Sequence, residues 1–553
     1  MTHLDRKLTL APQVAEAKSW NPANQRVRLV CVAATMNTVL NHIEQRARRN
    51  PQAVFLIAPE IDAQLTYAEL LSRAHQFGAH FAALGIRRGG KVAFLLDNGY
   101  WTTLVLLGTM ANARVVVPLN AIAGDKQLAY VLEHSDAELL FVAPHYEKQL
   151  APHLQNFPRP LQVIVVDEQT GPRLSGDAAP LRDADTPEAN DPAMLLYTSG
   201  TTGVPKGALL SHRAIISGGR NVAGGHALAA ADRALCVLPV YHINGAIVTV
   251  AAPLVSGGSV VMPRRFSARE YWSLIAEYHC TWSSIVPTIV KYLLDRAGEG
   301  TFKFGDDPRL CAFRFARSAT SALPAAMLKQ WEITFNVPII ETLGLTETAG
   351  TVMTNPMPPA IRKASSVGRP FGCEAHIIDE HGNPVADHVS GEIVYRGDNL
   401  LDHYYKNPQA TEAAFLHGWF RSGDIGFRDT EGYYFVTGRA KELIIRGGEN
   451  IAPREIDDVL YQHDAVLEAA AVGVEDADYG QEVVACVVLR EGHTCNEKEL
   501  QAFCADLVGV YKAPKRVYFM DCLPKGPSGK IQRLKLPELI AAHDAASSAN
   551  TQD

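Results

Sequence analysis

From residue 36 onward the apolar positions alternate between helical periods and short runs of strand length. Asn37 to Arg49 repeats at helical spacing. Thr66-Tyr-Ala-Glu69 places a threonine three residues before a glutamate, a capping box that opens a helix ending near Gly85. Strand Lys91 to Leu96, helix Trp101 to Ala113, strand Val115 to Val117, helix Asp125 to His134 and strand Glu138 to Ala143 follow. The rhythm continues through apolar runs at Val163 to Val166, Ala193 to Leu196, Leu235 to Leu238, Val260 to Met262 and Ser284 to Val286. A helix capped by Ser267, with Glu270 three residues on, is expected between the last two. The longest apolar run, Ala246 to Val255, reads as a core helix or strand. Alternation of this kind predicts an α/β fold with parallel sheets covered by helices.

After about residue 365 the texture changes. Short strands at Glu374 to Asp379, Gly391 to Arg396, Trp419 to Arg421 and Tyr433 to Val436 are separated by turns, which predicts a β-rich subdomain, a distorted barrel. After Arg439 a small unit restarts: strand Leu443 to Ile445, helix Arg454 to His463, two strands near 470 and 485, helix Glu497 to Val508 and strand Val517 to Met520. The expected organisation is a large N-terminal domain over 36–438, with about 366–438 β-rich, and a small C-terminal α+β domain over 441–542. Residues 1–35 lack periodicity and are expected to be a disordered extension, or to lie upstream of a true start at Met36. The Ala/Ser/Asn/Asp stretch 543–553 is expected to be a disordered tail.

Composition narrows the class. A chain of 553 residues exceeds one core, and 47% hydrophobic with 20% charged residues is ordinary for a globular enzyme. A net charge of −7 without a basic stripe argues against nucleic acid as the main partner. Nine scattered cysteines without a C-x-x-C pair fit reduced thiols in a cytoplasmic protein. No apolar run reaches transmembrane length.

Candidate chemistry centres on Tyr197-Thr-Ser-Gly-Thr-Thr-Gly-Val-Pro-Lys-Gly207, which follows a strand-like run and precedes a helix opened by Ser211. Four hydroxyls (Thr198, Ser199, Thr201, Thr202), glycines including Gly200 and Gly203, and Lys206 suit a polyphosphate. Glycines let backbone N–H groups approach the anion, hydroxyls donate, and the lysine supplies charge. The spacing is not that of a Walker A loop.

This loop resembles the phosphate loop of the adenylate-forming superfamily of acyl-CoA synthetases, peptide-synthetase adenylation domains and beetle luciferases. The resemblance spans roughly Met36 to Leu536. It implies ATP-dependent conversion of a carboxylic acid to acyl-AMP with release of pyrophosphate, then transfer to CoA, with Mg²⁺ as the metal. Thr342-Leu343-Gly344-Leu-Thr346-Glu347-Thr resembles the second motif, in which Thr346 would contact the α-phosphate and Glu347 would hold Mg²⁺. Leu343 stands where the family has a tyrosine that stacks on adenine. Arg421-Ser-Gly-Asp424 resembles the ribose motif, with Arg439 as its companion. The family's Gly-Tyr pair upstream reads Tyr404-Tyr405, and its adenine segment Gly-Gly-Ala-Pro reads Ala319-Thr320-Ser321-Ala322. Lys441 takes the hinge position, Gly447-Gly448 the loop lining the pantetheine channel, and Lys530 the mobile catalytic lysine. Taken alone, Gly447-Gly448 also reads as a plain hairpin turn.

For the acid itself, His242 matches the aromatic-His motif beside the carboxylate. Phe313-Arg-Phe-Ala-Arg317-Ser318 resembles the pocket strand of small-dicarboxylate, oxalate-type CoA ligases. Arg317 or Ser318 would anchor a second anionic group, and alternation puts the two on opposite strand faces. A histidine expected of oxalate enzymes after the Thr-Glu pair is absent, since Thr348-Ala-Gly350 stands there. The expected substrate is a short anionic acid, another dicarboxylate or a sulfo-acid, with a medium-chain or aromatic acid as the alternative. A freestanding enzyme loading a separate carrier protein is the other class left open, and a homodimer is compatible with either.

Overall fold

A computed structural model describes residues 37–155, 157–174, 185–198, 205–298, 307–525 and 531–549, with side chains through 544. Two large sheets carry the N-terminal part. The first has nine strands in the spatial order 369–370, 350–354, 339–345, 315–318, 282–285, 233–235, 259–261, 54–58, 63–66. The second has seven, in the order 403–404, 206–211, 192–198, 115–118, 91–95, 137–142, 162–165. Their interiors are parallel, as the alternation predicts. Edges at 350–354 and 369–370 in one sheet, and at 206–211 and 403–404 in the other, are antiparallel. Hairpins need only a short turn, whereas parallel neighbours need a crossover helix. The two phosphate-type motifs sit in these hairpins.

The helix Tyr100–Ala111 is apolar on all sides and buried along nearly its whole length. A polar face is not needed where neither side meets water. Helix Tyr67–Ala83 begins with the predicted capping box, Thr66 and Glu69 bonding reciprocally. The helix predicted after Ser267 starts at Tyr271 instead; Ser267 offers its backbone carbonyl to Tyr271, and no side chain caps the start. The run expected as core helix or strand is a π-helical stretch, Asn244–Ala251, continued as α-helix over Ala252–Ser256.

Strands 374–378, 391–396, 419–428, 415–416 and 434–439 form the expected β-rich sheet, all antiparallel. The last part builds a separate sheet from 449–451, 444–446, 480–489, 466–476 and 516–519. Helices Pro453–Leu460 and Glu497–Val508 contribute to one apolar cluster against that sheet. On another cluster, Leu536 and Ile540 pack with Ala470, Val484, Cys486 and Tyr518. They belong to a helix, Leu536–Ala549, so residues 543–549 are helical where a disordered tail was expected. Residues 1–36 and 550–553 lie outside the described residues. No helix among the described residues is long and apolar enough to cross a membrane. The eight described cysteines are free thiols, in keeping with their scattered spacing.

Candidate active site

Lys206 opens the return strand of a hairpin, Lys206–Ser211 pairing antiparallel with Pro192–Thr198 and Thr198 opposite Lys206. The strands flanking the phosphate-type loop therefore pair with each other, and a return strand separates the loop from the helix that follows. Ser211 still caps the following helix, its side chain accepting from the Ala214 N–H. Ser199, Gly200, Thr201, Thr202 and Gly203 lie outside the described residues, as does Lys530. The hairpin is anchored from below by the Tyr197 hydroxyl, 2.7 Å from His134 Nδ1.

Glu347 lies in the one-turn 3₁₀ helix Thr346–Thr348 that joins strands 339–345 and 350–354. Gly344 is required there: a Cβ would meet the Gly350 carbonyl oxygen at 2.2 Å. Leu343, in the family's stacking position, is partly buried against the main core. The segment 399–405 then clips the two hairpins together. Leu401 N–H donates to the Glu347 carbonyl at 2.7 Å, and Asn399 Nδ2 donates to the Thr348 carbonyl at 2.9 Å. Tyr404 pairs with Ala208, and the Tyr405 N–H donates to the Gly207 carbonyl at 2.8 Å. The Tyr404 hydroxyl donates to Glu347 Oε1 at 2.9 Å, while Lys206 Nζ lies 5.5 Å from the centre of the same ring. Burial and then Glu347 raise the Tyr404 pKa, so the hydroxyl keeps its proton.

Asp424 and Arg439 close the cluster. They face each other across strands 419–428 and 434–439, with Arg439 Nε 2.8 Å from Asp424 Oδ1. Asp424, then Glu347, hold the Arg439 pKa above its usual value, which places Arg439 within electrostatic reach of both carboxylates. Lys206, Glu347, Asp424 and Arg439, four residues spread over more than two hundred positions, thus share one site.

A second group of polar side chains gathers around Arg317. Arg317 is 2% exposed, and its guanidinium donates to Ser284 Oγ (3.0 Å), Asn244 Oδ1 (3.3 Å), Thr342 Oγ1 (2.5 Å) and Thr351 Oγ1 (2.9 Å). All four partners are neutral, and no carboxylate pairs with this guanidinium among the described residues. Burial alone lowers its pKa, to about 9. Ser318 Oγ and His242 Nε2 are buried with no hydrogen-bond partner among the described residues. Burial lowers the His242 pKa to about 4, so the ring is neutral at pH 7. Strand alternation had allowed one of Arg317 and Ser318 to face a pocket; both are buried, and Thr342 joins them by donating to the Ser318 carbonyl at 3.3 Å. Asn244, Ser284 and Thr351 were not legible as members, because no local pattern marks a polar side chain that faces a distant arginine.

Ser321 is exposed, and its neighbour Thr320 holds φ at +81°, a left-handed value rare for a β-branched residue. That is where the adenine segment of the resemblance has glycine. Gly447 and Gly448 form the two-residue turn between strands 444–446 and 449–451, both at positive φ (+57° and +86°). The plain hairpin reading thus describes their geometry, and Arg446 beside them is stacked between Tyr479 and Tyr511 at 4.8 and 4.7 Å.

With this geometry in view, the comparisons are consistent along the chain. The family model for AMP-binding enzymes matches residues 43–405, and that for the AMP-binding enzyme C-terminal domain matches residues 455–530. The chain belongs to the AMP-binding enzyme family. It is 46% identical over 503 residues to a sulfoacetate–CoA ligase of Cupriavidus necator, covering 90% of this chain and 97% of that one. To an oxalate–CoA ligase of Arabidopsis thaliana it is 35% identical, covering 87% and 93%. Among solved structures, ATP-bound MatB from Rhodopseudomonas palustris is similar with a TM-score of 0.81 and 27% identity, covering 90% and 98%. MenE from Bacillus subtilis with its acyl-adenylate intermediate is similar with a TM-score of 0.79 and 29% identity, covering 90% and 97%. The family member is an AMP-forming acid–thiol ligase that uses ATP and CoA.

Proposed function

We propose that this ligase activates a short carboxylic acid carrying a second anionic group, a sulfo-acid or a small dicarboxylate. The observation that carries the reading is Arg317, a buried guanidinium held by four neutral oxygens with no carboxylate beside it among the described residues. An isolated buried charge costs several kcal/mol, and a substrate anion supplies the missing counter-charge. His242 Nε2, without a protein partner among the described residues, is the polar atom offered to the acid's carboxylate, and Ser318 Oγ, on the other strand face, is the alternative to Arg317 as anchor. Two relatives named for sulfoacetate and oxalate support the same class, and the higher identity favours the sulfo-acid.

In this reading Lys206 and the loop Thr198–Gly203 hold the phosphates, Asp424 accepts the ribose hydroxyls, and Ser321, Thr342, Leu343 and Gly344 border the adenine. Thr346 meets the α-phosphate. Glu347 offers a carboxylate oxygen within a cluster whose cations suit a polyphosphate, a donor chemistry that fits Mg²⁺; the metal would neutralise charge on the leaving pyrophosphate. The neutral His242 orients the acid. Its carboxylate oxygen attacks the α-phosphorus, the bond to pyrophosphate breaks, and acyl-AMP remains. The CoA thiol then attacks the acyl carbon, AMP leaves, and the Gly447–Gly448 turn borders the thiol arm. Lys441 is the pivot between a large domain, 36–438, and a small one, 441–542, and Lys530 reaches the phosphates in the first step only.

The test is a panel of acids with ATP, Mg²⁺ and CoA, read by pyrophosphate and AMP release: sulfoacetate, oxalate, malonate, succinate, hexanoate and indoleacetate. A preference for a short doubly anionic acid supports the reading, and a preference for hexanoate or indoleacetate overturns it. A parallel arm with carrier protein in place of CoA separates the two acceptors.

A further inference from the structure

Tyr404 occupies a place between opposite charges. It sits in the two-residue strand 403–404, hydrogen-bonded to the strand that begins with Lys206, in a segment that also grips the turn holding Glu347. Its two faces are used differently. The ring lies 5.5 Å from the Lys206 ammonium, and the hydroxyl donates to Glu347 Oε1 at 2.9 Å. Lys206 and Glu347, carried by two different hairpins, thus approach different parts of one side chain. A direct ion pair would hide both from phosphate and cation, and it would have to be broken before nucleotide could bind.

We propose that Tyr404 is a positioning residue that keeps Lys206 and Glu347 apart and preset for nucleotide, the π face holding the cation and the hydroxyl fixing one carboxylate oxygen. A π face attracts an ammonium without neutralising it, so Lys206 keeps its charge for the phosphates. A hydrogen bond on Oε1 restricts the Glu347 rotamers and leaves Oε2 for a hard cation. An aliphatic residue at 404 would do neither, and an acid there would neutralise the lysine. The inference rests on the nucleotide site proposed above.

The two contacts can be removed separately. Y404F keeps the ring and loses the hydroxyl, whereas Y404L loses both. Calorimetric titration of ATP at increasing Mg²⁺, and in EDTA, reads binding without turnover. Y404F is expected to need about 10-fold more Mg²⁺ for half-maximal ATP affinity, from the loss of one hydrogen bond to a charged group. Its affinity in EDTA should match the parent. Y404L should also bind ATP more weakly in EDTA. In an E347A background, Y404F should add no further loss, and this cycle remains informative if Y404L folds poorly. If E347A lowers Mg²⁺-dependent binding but Y404F does not, or if Y404F loses equally with and without Mg²⁺, the positioning role is wrong. If the parent and E347A bind identically at every Mg²⁺ concentration, the underlying nucleotide site is wrong instead.

Discussion

Arg439 and Asp424 stand opposite each other on paired antiparallel strands, Nε to Oδ1 2.8 Å, with the carboxylate side chain 4% exposed and the guanidinium 37% exposed. The buried partner is thus the acid, and solvent still reaches the cation paired with it. A carboxylate so held is suited to accept two hydrogen bonds from vicinal hydroxyls.

Asp424→Asn is therefore expected to weaken ATP binding by about 10- to 100-fold, the loss of charge-assisted bonds. The parent should also favour ATP over 2′-deoxy-ATP, and the variant should nearly lose that discrimination. Equilibrium titration with both nucleotides checks this; an unchanged preference would place the ribose elsewhere.

Acid stability follows from three histidines. Burial lowers His212 and His242 to about 4 and His226 to about 3. Each stays neutral in the fold while its unfolded counterpart protonates near 6.5. The unfolded state binds more protons between those values, so stability rises with pH there and is lost as pH falls from about 6.5 toward 4. Three such sites give a slope of up to roughly 4 kcal/mol per pH unit. Glu341, raised to about 7 mainly by burial, acts oppositely: its contribution is lost as pH rises through that value. Denaturant midpoints at pH 5 and pH 7 should show the protein markedly weaker at pH 5, and His226→Phe should flatten the difference. His226 is the best site for this, since its ring stacks on Phe315 at 5.2 Å.

Arg533 bridges parts of the small domain that the two-step reading needs to move together. Its Nη2 lies 2.5 Å from Asp457 Oδ2 and its Nε 3.4 Å from Glu442, the residue after Lys441. Arg533→Met would leave buried Asp457 uncompensated, which costs about 3–5 kcal/mol, so a clear fall in thermal midpoint is expected. Lys530→Ala, by contrast, should leave stability unchanged and abolish acyl-AMP formation, while presynthesised acyl-AMP and CoA still give thioester. Lys441→Pro should show the reverse, because a fixed φ removes the pivot. Equal loss of both half-reactions in both variants would contradict a two-state small domain.

How much of this was legible depended on the range of the interaction. Local rules worked: the Thr66–Glu69 capping box and the bounds of helices Glu497–Val508 and Asp125–His134 followed from caps and periodicity. The motif residues Lys206, Glu347, Asp424 and Arg439 were recognisable because their neighbours in sequence are distinctive. Their meeting place was not. Tyr404 read only as a departure from the family's Gly-Tyr pair, since its partners lie at 206 and 347. The antiparallel return at Lys206–Ser211 was hidden because Lys206 and Gly207 read as the end of a loop. Helix Leu536–Ala549 was not legible, because Ala, Ser and Asp carry little periodicity beyond Leu536 and Ile540.

The most direct measurement is the ratio of kcat/KM for sulfoacetate to that for hexanoate, determined in the parent, in Arg317→Lys and in Arg317→Gln. Loss of the charge should lower the ratio by about 100-fold or more in Arg317→Gln, from a buried charge pairing worth a few kcal/mol, with Arg317→Lys retaining part of it. An equal fall for both acids, leaving the ratio unchanged, would contradict the assignment of Arg317 to a second anionic group of the substrate.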